Sequence, residues 1–588
     1  MTAASNLHTA WAALFVRALC TSGVQDIVIS PGSRSTPLVL AAAREERLRC
    51  HVILDERSAA FFALGQARSS GRPTALLCTS GTAGAHYLPA VIEASQSFTP
   101  LVVITADRPW DAYDASAPQT IDQVKLFGAH VRHFAELGLP DPSASALRAV
   151  ARIAAQAVHL ARSPTPGPVH VNTRFRKPLE PVSVGGGVEE WQSTIEALLA
   201  RGAPTTRVTS VALDEGAMAD LALACDTATR GLVVCGPAPA AAAGEDARAA
   251  VAAFARAAGF PVLPEATSQI RFGIGGRGAP VCAAFDAVLR DRAFAAAHEA
   301  EVIVEIGAPA TSSAYAAYLD ANPRARRFVL APHGWNDPRG DAFALLAGDP
   351  YALLRGVAAR LTRARGEATR AWCQDFTRKD ASVAGLVARE LEEGKLTEGR
   401  VAHALVEGLP EDATLVVSNS NVVRDLDLYA PESRRALRVL HQRGASGIDG
   451  LISSAAGARS VSSAPTALFI GDLAFAHDIG GLAAARLAGG PLPIVVVQNR
   501  GGRIFEQLPI FAGAVDPAEF ERFFATPQAI DLECAASAFG LAHRRAETPS
   551  GLGEALREAL LARVPMVIEA IVPPHDATLR RAKIWRGL

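Results

Sequence analysis

Short apolar runs alternate with longer Ala/Leu-rich stretches along the first part of the chain, through residues 1–180. The short runs are "DIVIS", "HVIL", "TALLCTS", "PLVVITA" and "PVHVN". Short β-rich runs separated by helical stretches are typical of a parallel sheet with crossover helices. The alternation returns from about Val208 to Leu361, with "GLVVCG", "EVIVEIG" and "RRFVLAP", and again in a third block.

Two segments interrupt this alternation. Residues Phe175 to Gly187, "FRKPLEPVSVGGG", are predicted to be a linker, and a charged helical segment from about Arg360 to Lys395 separates the second block from the third. We therefore predict an α/β fold with three doubly wound parallel-sheet domains, at residues 1–185, 205–365 and 395–588.

The first and third blocks share a repeated unit. Residues 73–109 and residues 465–502 both open a strand with Pro-Thr-Ala-Leu, continue through a small-residue turn and a helix, and reach a Pro-led Val/Ile strand that ends in a polar turn. The match predicts that these domains are copies of one architecture.

Composition and charge exclude several classes of protein. A chain of 588 residues is too long for one core. Its composition, with 49% hydrophobic and 20% charged residues, is that of an ordinary globular protein. A net charge of −1 shows no basic excess of the kind that nucleic-acid binders carry. The eight cysteines form no CxxC pair, so neither a zinc site nor a disulfide framework is expected.

No apolar run approaches the ~20 residues that cross a bilayer, and Asn6 is expected to cap a helix rather than to precede a signal sequence. We expect a cytoplasmic protein without stable membrane insertion.

The turn "SPGSRSTPL" lies between a short apolar run and a predicted helix. A strand–turn–helix unit presents backbone N–H groups and a positive helix end to an anion. Ser33 and Arg34 add a hydroxyl and a guanidinium fork, which suit a carboxylate at least as well as a phosphate. Because no second Gly and no Lys follow, this is not a phosphate loop. Taken alone, the turn is equally explained as a polar turn with a helix cap.

Two polar turns in the third block are predicted to face one pocket. One strand ends at Gly471-Asp472, and the next ends at Gln498-Asn499-Arg500-Gly501-Gly502. Adjacent parallel strands would bring both carboxyl ends to the same sheet edge. A carboxylate, an amide oxygen and a backbone carbonyl are ligands that Mg²⁺ prefers when a phosphate completes its shell. Gly-Asp alone would be a plain turn; the paired Asn in the duplicated frame favours a metal site.

Asp472 followed by Asn499 resembles the metal and diphosphate signature of thiamine-diphosphate-dependent enzymes, which have related pyrimidine-binding and diphosphate-binding domains. The segments "SPGSRSTPL", "LDERSAAFFALG", "TSGTA", "TADRP", "QRGASGIDGL" and "NRGGRIFEQLP" together are similar to the MenD family. Its members are 2-succinyl-5-enolpyruvyl-6-hydroxy-3-cyclohexene-1-carboxylate synthases of menaquinone biosynthesis. The likeness covers both outer domains and is weak in the middle domain.

The resemblance implies a carboligase that depends on thiamine diphosphate and Mg²⁺, with Mn²⁺ as an alternative ion. Such an enzyme decarboxylates 2-oxoglutarate and adds the resulting carbanion to isochorismate. Residues 1–185 would bind the pyrimidine, residues 395–588 the diphosphate and metal, and residues 205–365 form a middle domain. A homodimer or homotetramer with sites completed across subunits is expected.

The resemblance also implies roles for individual residues. Glu56 would protonate the aminopyrimidine ring, although a solvated helix-start charge is the usual explanation for such a residue. Ser80 and Thr82 either cap the following helix or contact the cofactor. Ile448 would wedge under the bent cofactor, and Asp472, Asn499 and Gly501 would bind the metal. The remaining cofactor residues are Gly471, Leu473, Ile504, Phe505 and Leu508. The substrate residues are Ser33, Arg34, Arg108, Gln119, Ser420, Arg424 and Arg443.

Some features depart from the wider pattern. Leu473 stands where most thiamine enzymes have a second Gly, and Arg500 places an unexplained large cation beside the metal turn. Thr311-Ser312-Ser313-Ala314 replaces a basic pair that reaches the substrate in some family members, which leaves a middle-domain substrate contact in doubt. His441 and His477 are expected to be structural, and Asp55 and Arg57 to be surface or structural residues. The alternatives are another thiamine-diphosphate 2-oxoacid decarboxylase or carboligase, and a degenerate regulatory protein that only binds the cofactor.

Overall fold

The computed structural model describes residues 6–182, 190–207, 214–240, 244–392, 394–430, 435–511 and 513–588. The predicted linker at 175–187 is therefore only partly described, and residue 185, the predicted end of the first domain, and Val208 lie outside these ranges. The chain divides into two compact units. The first comprises Met1–Thr209, Gln442–Ser463 and His477–Gly489, and the second comprises Ser210–His441, Ala464–Ala476 and Gly490–Leu588.

The first unit contains a parallel sheet with the strand order β2-β1-β3-β4-β6-β5. Its strands are β1 (Asp26–Ile29), β2 (Arg49–Val52), β3 (Thr74–Cys78), β4 (Leu101–Asp107), β5 (His133–Leu137) and β6 (Pro168–Arg174). The helices are α1 (Leu7–Thr21), α2 (Thr36–Ala43), α3 (Glu56–Ser70), α4 (Leu88–Gln96), α5 (Ala144–Arg162) and α6 (Glu190–Arg201). The side chain of Asn6 accepts from Thr9 N at 2.9 Å, so the predicted cap of α1 is confirmed.

The second unit contains two sheets, of which the first is parallel with the order β11-β10-β9-β7-β8. Its strands are β7 (Gly231–Cys235), β8 (Val262–Pro264), β9 (Val302–Ile306), β10 (Arg326–Ala331) and β11 (Ala344–Ala347). The helices are α7 (Glu215–Thr227), α8 (Glu245–Ala258), α9 (Phe285–Arg290), α10 (Arg292–Ala297), α11 (Ser313–Ala321), α12 (Pro350–Ala358) and α13 (Glu367–Leu391). Helix α13 forms most of the predicted charged helical segment.

The third sheet, also in the second unit, has the order β13-β12-β14-β15-β17-β16. Its strands are β12 (Thr414–Val417), β13 (Arg438–His441), β14 (Thr466–Gly471), β15 (Pro493–Gln498), β16 (Ala542–Ala546) and β17 (Met566–Ile571). The helices of this part of the chain are α14 (Glu398–Gly408), α15 (Asn421–Tyr429), α16 (Leu451–Ser460), α17 (Asp472–His477), α18 (Gly481–Ala485), α19 (Pro517–Phe520), α20 (Leu532–Ala538), α21 (Pro549–Leu561) and α22 (Asp576–Arg586).

The first and third sheets have the same strand order, counted from the first strand of each. The repeated sequence unit maps to β3 and β4 in one sheet and to β14 and β15 in the other, and both pairs are parallel neighbours. The predicted duplication of architecture and the predicted parallel sheets are therefore confirmed.

Helix α16 packs against α3 within the first unit through two glycines. A Cβ atom at Gly65 would lie 1.9 Å from Ser454 O, and a Cβ atom at Gly457 would lie 1.9 Å from Phe62 O. Such distances leave no room for a methyl group, so the two helix backbones touch directly. Since α3 begins at Glu56, this contact holds the helix that carries the predicted acid.

We expect Gly457→Ala to lower the melting temperature, because the added methyl group must push the two helices apart. Overpacking of this kind costs about 1–3 kcal/mol, sometimes more. Gly385→Ala in α13 is the matched control, since its nearest heavy atom would be 3.8 Å away and Ala is the better helix former. Thermal denaturation that ranks the two variants equally would contradict this packing.

A buried carboxyl group ties α16 to the segment before α18. Asp478 is fully buried and accepts hydrogen bonds from Ser453 N at 2.9 Å and Ser453 Oγ at 3.2 Å. Burial raises the pKa of Asp478 to about 7. The folded state therefore holds this proton more tightly than the unfolded chain does. Its contribution to stability is complete below the unfolded pKa of 3.8 and is lost as the pH rises through about 7.

The side chain of Asp478→Asn stays neutral at every pH. As the pH rises from 4 to 7.5, the free energy of unfolding of this variant should therefore fall less than that of the unsubstituted protein. Urea denaturation at several pH values measures this slope. Asp531→Asn is the control, because hydrogen bonds to Cys534 hold the pKa of that exposed carboxyl below its ordinary value and it titrates outside the window. Equal slopes for Asp478→Asn and the unsubstituted protein would show that Asp478 does not titrate there.

Candidate active site

Predicted substrate and cofactor residues of the first unit lie at the carboxyl ends of neighbouring strands. Ser33 and Arg34 follow β1, Ser80 follows β3, and Arg108 follows β4; these strands are hydrogen-bonded neighbours in the order β1-β3-β4. The turn after β1 approaches the turn after β3 so closely that a Cβ atom at Gly32 would lie 2.2 Å from Thr79 Cβ. The edge of the sheet thus brings together residues from three turns.

Arg34 and Arg108 form a positively charged pair at this edge. Arg34 is 7% exposed and donates through Nη1 to Phe175 O at 2.7 Å. Its pKa is lowered from the ordinary value, first by burial and then by repulsion from Arg108. Within the described residues, neither guanidinium forms an ion pair, and Arg108 Nε is buried without a hydrogen-bond partner. Two such groups can bind a carboxylate by donating hydrogen bonds to it.

A buried ion-pair network positions the backbone beside Arg108. Arg174 is fully buried, pairs with Asp107 at 3.0 Å and Glu136 at 2.6 Å, and donates to Arg108 O at 2.6 Å. Its guanidinium carbon lies 3.5 Å from the ring centroid of Trp110. Asp107 Oδ1 accepts from Arg108 N at 2.7 Å. Since Asp107 is engaged by Arg174, it does not pair directly with the Arg108 guanidinium.

Ser80 and Gln119 hold each other through reciprocal hydrogen bonds. Ser80 Oγ donates to Gln119 O at 3.0 Å, and Gln119 Nε2 donates to Ser80 O at 3.1 Å. Ser80 makes no side-chain capping bond to the 3₁₀ helix Gly81–Tyr87, so the capping alternative is wrong for Ser80. The side chain of Thr82 is exposed. Gln119 has φ 55°, a conformation that is costly for a non-glycine residue and clusters at functional sites.

Glu56 is the first residue of α3. Asp55 caps this helix by accepting from Ser58 N at 3.2 Å, so Asp55 is structural as expected. Glu56 is half-buried, and its carboxylate makes no hydrogen bond or ion pair with the described residues. This leaves the carboxylate available to a ligand.

Arg443 and Ile448 lie in the loop between β13 and α16, which belongs to the first unit. Glu93 holds this loop by accepting from Gly444 N at 3.1 Å and Ala445 N at 2.6 Å. Ile448 is half-buried. The bulky apolar side chain is therefore partly open to a ligand, as the proposed wedge requires.

Asp472 and Asn499 lie at the ends of neighbouring parallel strands in the second unit. Strand β14 pairs with β15 up to Gly471, which directly precedes Asp472 and lies opposite Val497, two positions before Asn499. Asp472 accepts from Leu473 N through Oδ1 and from Gly501 N through Oδ2, each at 2.7 Å. Burial raises the pKa of Asp472. Gly501 has φ 115°, and a Cβ atom there would lie 2.2 Å from Ala525 O, so only glycine fits.

This donor set suits a divalent cation that carries a phosphate. The carboxylate of Asp472, the Oδ1 atom of Asn499 and the carbonyl of Gly501 are hard oxygen ligands, and the carboxylate keeps lone pairs beyond its two backbone hydrogen bonds. The described residues contain no group of three or more His, Cys, Asp or Glu side chains that could hold a metal. A metal at this edge would thus depend on one carboxylate together with amide and carbonyl oxygens.

The two arginines of the metal turn have different surroundings. Arg500, the unexplained cation of the sequence, is exposed. Arg503 is 4% exposed and donates to Asn499 O at 3.2 Å and to Arg500 O at 2.6 Å. Glu506 and Glu521 balance its charge. Arg503 therefore fixes the backbone of the turn, whereas the Arg500 side chain points to solvent.

Ser420 and Arg424 lie at the start of α15. Ser420 has φ 68°, a strained conformation for serine, and its carbonyl accepts from Arg424 Nη1 at 2.7 Å. Arg424 lines a pocket with Arg290, Thr311, Ser312, Gln507 and Trp585. The segment Thr311–Ser313, which leads into α11, thus lies beside the predicted substrate residue Arg424. The sequence alone left this proximity in doubt.

The remaining predicted cofactor residues surround the ends of β14 and β15. Gly471 and Leu473 flank Asp472, and the 3₁₀ helix Arg503–Gln507 carries Ile504 and Phe505. Ile504 and Phe505 are half-buried, and Leu508 is 47% exposed. Apolar side chains are thus left partly uncovered beside the predicted metal turn. His441, expected to be structural, hydrogen-bonds to Ala238 O at 3.0 Å.

Comparison with known proteins matches two segments of the chain to domains of one enzyme class. Residues 10–126 match the N-terminal TPP binding domain of thiamine pyrophosphate enzymes, and residues 428–570 match the C-terminal TPP binding domain. A 2-succinyl-5-enolpyruvyl-6-hydroxy-3-cyclohexene-1-carboxylate synthase of Sorangium cellulosum is 55% identical over 99% of this chain and 95% of its own length. The chain belongs to this synthase family.

Other members of the synthase family also match nearly end to end. The protein of the same name from Myxococcus xanthus is 39% identical over 95% of this chain and 94% of its own length. That from Halorubrum lacusprofundi is 40% identical over 92% of this chain and 89% of its own length. Among the described helices, none is both long and apolar enough to cross a bilayer.

Several residues that shape this site were missed by sequence reasoning. Arg174, Glu398 and Arg503 are buried charged side chains that contact predicted site residues or their backbone. Arg503 lies within the recognised turn, where a buried cation had no distinguishing signal. Glu398 and Arg174 are distant in sequence from the residues that they contact, so no local motif could reveal them.

Proposed function

We propose that this protein catalyses the thiamine-diphosphate-dependent decarboxylation of 2-oxoglutarate and adds the resulting fragment to isochorismate. The product is 2-succinyl-5-enolpyruvyl-6-hydroxy-3-cyclohexene-1-carboxylate, an intermediate of menaquinone biosynthesis. The observation that carries the proposal is the pair of guanidinium groups of Arg34 and Arg108, which have no carboxylate partner among the described residues. Together with membership of the synthase family, it favours substrates that carry several carboxylates.

The cofactor is assigned to both matched domains. Asp472, Asn499 and the Gly501 carbonyl would hold Mg²⁺, or Mn²⁺ as an alternative ion, and through it the diphosphate. Ile448, Ile504, Phe505 and Leu508 would pack on the thiamine, with Ser80, Thr82, Gly471 and Leu473 as further contacts. When bound, thiamine diphosphate supplies the carbon nucleophile and the electron sink for decarboxylation.

Glu56 is proposed as the residue that holds and donates the proton of the aminopyrimidine ring. Its carboxylate is unpaired within the described residues and sits at the start of a helix whose position is held by the glycine contact with α16. A ring nitrogen can therefore be its hydrogen-bond partner, and no side chain of the described residues competes for it.

The substrate carboxylates are assigned to the arginines. Arg34 and Arg108 would bind one carboxylate, with Ser33 and Gln119 beside them in the first unit. Ser420, Arg424 and Arg443 are proposed to bind the remaining carboxylates and hydroxyl groups. Guanidinium groups fit planar carboxylates through two parallel hydrogen bonds, which orients the substrate as well as binding it.

We also propose the domain ranges 1–185, 205–365 and 395–588, because each range contains one complete sheet. The division into two compact units cuts the chain elsewhere, since residues 442–463 and 477–489 pack with the first unit. A cytoplasmic homodimer or homotetramer with sites completed across subunits remains part of the proposal.

Purified protein with thiamine diphosphate and Mg²⁺ tests the activity directly. We expect 2-oxoglutarate to be consumed with formation of the adduct only when isochorismate is present. Rapid release of succinic semialdehyde regardless of isochorismate would indicate a simple 2-oxoacid decarboxylase. Cofactor binding without consumption of 2-oxoglutarate would indicate a protein that only binds the cofactor.

Arg34→Lys should impair substrate use while leaving thiamine diphosphate binding intact, because lysine keeps the charge but loses the two-donor fork. Losing a charge-assisted hydrogen bond costs about 1.5–3 kcal/mol, or about ten- to a hundredfold in kcat/KM. Steady-state kinetics with both substrates and a separate cofactor titration measure the two effects. Arg176→Lys is the control, since Arg176 is exposed and paired with Asp111. Lost cofactor affinity with normal substrate kinetics would mean that the turn binds phosphate instead.

Glu56→Gln should preserve the fold and lower turnover by roughly a hundredfold or more, because an amide cannot supply the proton. Turnover at saturating cofactor and the melting temperature are measured together. Glu46→Gln, an exposed glutamate of the same unit, should retain full turnover. An active Glu56→Gln protein would remove Glu56 from the mechanism.

A further inference from the structure

A buried carboxylate contacts the proposed metal residue Asn499 and has no role in the function described above. Glu398 is the first residue of α14 and is 2% exposed. Its Oε1 atom accepts from Asn499 Nδ2 at 3.3 Å. Its Oε2 atom is buried without a hydrogen-bond partner in the described part of the chain. The hydrogen bond to Asn499 is therefore the side-chain contact that the Glu398 carboxylate makes.

The contact determines which end of the Asn499 amide faces the strand edge. Asn499 Nδ2 donates to Glu398 Oε1, so the NH₂ end of the amide faces Glu398 and the Oδ1 end faces away. Arg503 meanwhile donates to Asn499 O and fixes the backbone of the same residue. Among the described residues, Asn499 Oδ1 accepts no hydrogen bond. The oxygen is thus left available for a cation.

Glu398 lies close to a buried ion pair that involves the C-terminal helix. Arg581 in α22 is buried, pairs with Asp425 and donates to Asn421 Oδ1 at 3.2 Å. Glu398 and Asp425 both interact electrostatically with Arg581. Burying a carboxylate with one oxygen unsatisfied is costly, and such a group calls for an explanation.

We propose that Glu398 is a positioning residue for the metal site, whose carboxylate turns the Asn499 amide so that Oδ1 joins Asp472 and Gly501 as a ligand. The inference rests on the proposed metal site. Partners of metal ligands fix ligand orientation, and their loss typically costs about 10–100-fold in metal affinity.

Titration calorimetry of Mg²⁺ at saturating thiamine diphosphate tests the proposal without measuring turnover. Glu398→Met keeps the side-chain length and removes the acceptor, so we expect the Kd for Mg²⁺ to rise about 10–100-fold. Glu398→Gln keeps an acceptor oxygen and places an NH₂ group where Oε2 was, so its affinity should stay close to that of the unsubstituted protein. Glu398→Asp keeps the carboxyl group but shortens the side chain by one methylene and so moves the acceptor away from Asn499. It should weaken binding, and it tests the proposal even if Glu398→Met does not fold.

The matched control is Glu390→Met. Glu390 is another buried glutamate of the second unit, paired with Arg580 and Lys583 of α22 and not in contact with Asn499. It should lose thermal stability without a change in the Kd for Mg²⁺. A loss of Mg²⁺ affinity in this control equal to that of Glu398→Met would mean that general destabilisation explains the effect, which overturns the proposal.

Two further outcomes separate this inference from the proposed metal site. Normal Mg²⁺ affinity in Asp472→Ala would refute the metal site itself. Weakened affinity in Asp472→Ala together with normal affinity in Glu398→Met and Glu398→Asp would refute only the positioning role.

An equal loss in Glu398→Gln and Glu398→Met would show that the charge of Glu398 acts rather than its acceptor oxygen, which also overturns the proposal.

Discussion

Neighbouring parallel strands end at the same edge of their sheet, and the candidate residues of each unit depend on this constraint. In the first sheet it gathers the turns that carry Arg34, Ser80 and Arg108. In the third sheet it places Asp472 next to the turn of Asn499. Because the two sheets share one strand order, the same geometry is used twice with different side chains. One edge displays guanidinium groups and the other displays hard oxygen atoms.

A network of buried charged side chains lies next to each of these edges. Arg174 joins Asp107 and Glu136 beneath Arg108, while Arg581 joins Asp425 near Glu398 and Asn499. Each network costs desolvation, which an ion pair recovers only with good geometry and further hydrogen bonds. Arg174 holds the Arg108 carbonyl through a hydrogen bond, and Glu398 holds the Asn499 amide through another. Within the described part of the chain, the guanidinium groups of Arg34 and Arg108 have no carboxylate partner, and Asn499 Oδ1 accepts no hydrogen bond.

The sequence predicted the strands with continuous apolar runs and missed several that lack them. Strands β1, β3, β4 and β6 in the first sheet, and β14 and β15 in the third, match the apolar runs. The edge strands β5, "HFAEL", and β16, "AHRRA", carry polar residues because one side of each strand has no neighbour to bury them. The capping alternative for Ser80 was wrong because its hydroxyl bonds to Gln119, whose proximity depends on the folded loop.

The sequence by itself determined the strand–turn–helix order, the duplicated architecture, and the turns that hold Arg34, Asp472 and Asn499. These are local properties, since apolar periodicity and turn residues act over a few positions along the chain. Only the tertiary structure decided which charged residues are buried and what they contact. Arg503 is enclosed while Arg500 is exposed, and Glu398 meets Asn499 across a long sequence separation. Burial and hydrogen-bond partners depend on neighbours that folding brings together, and no local pattern specifies them.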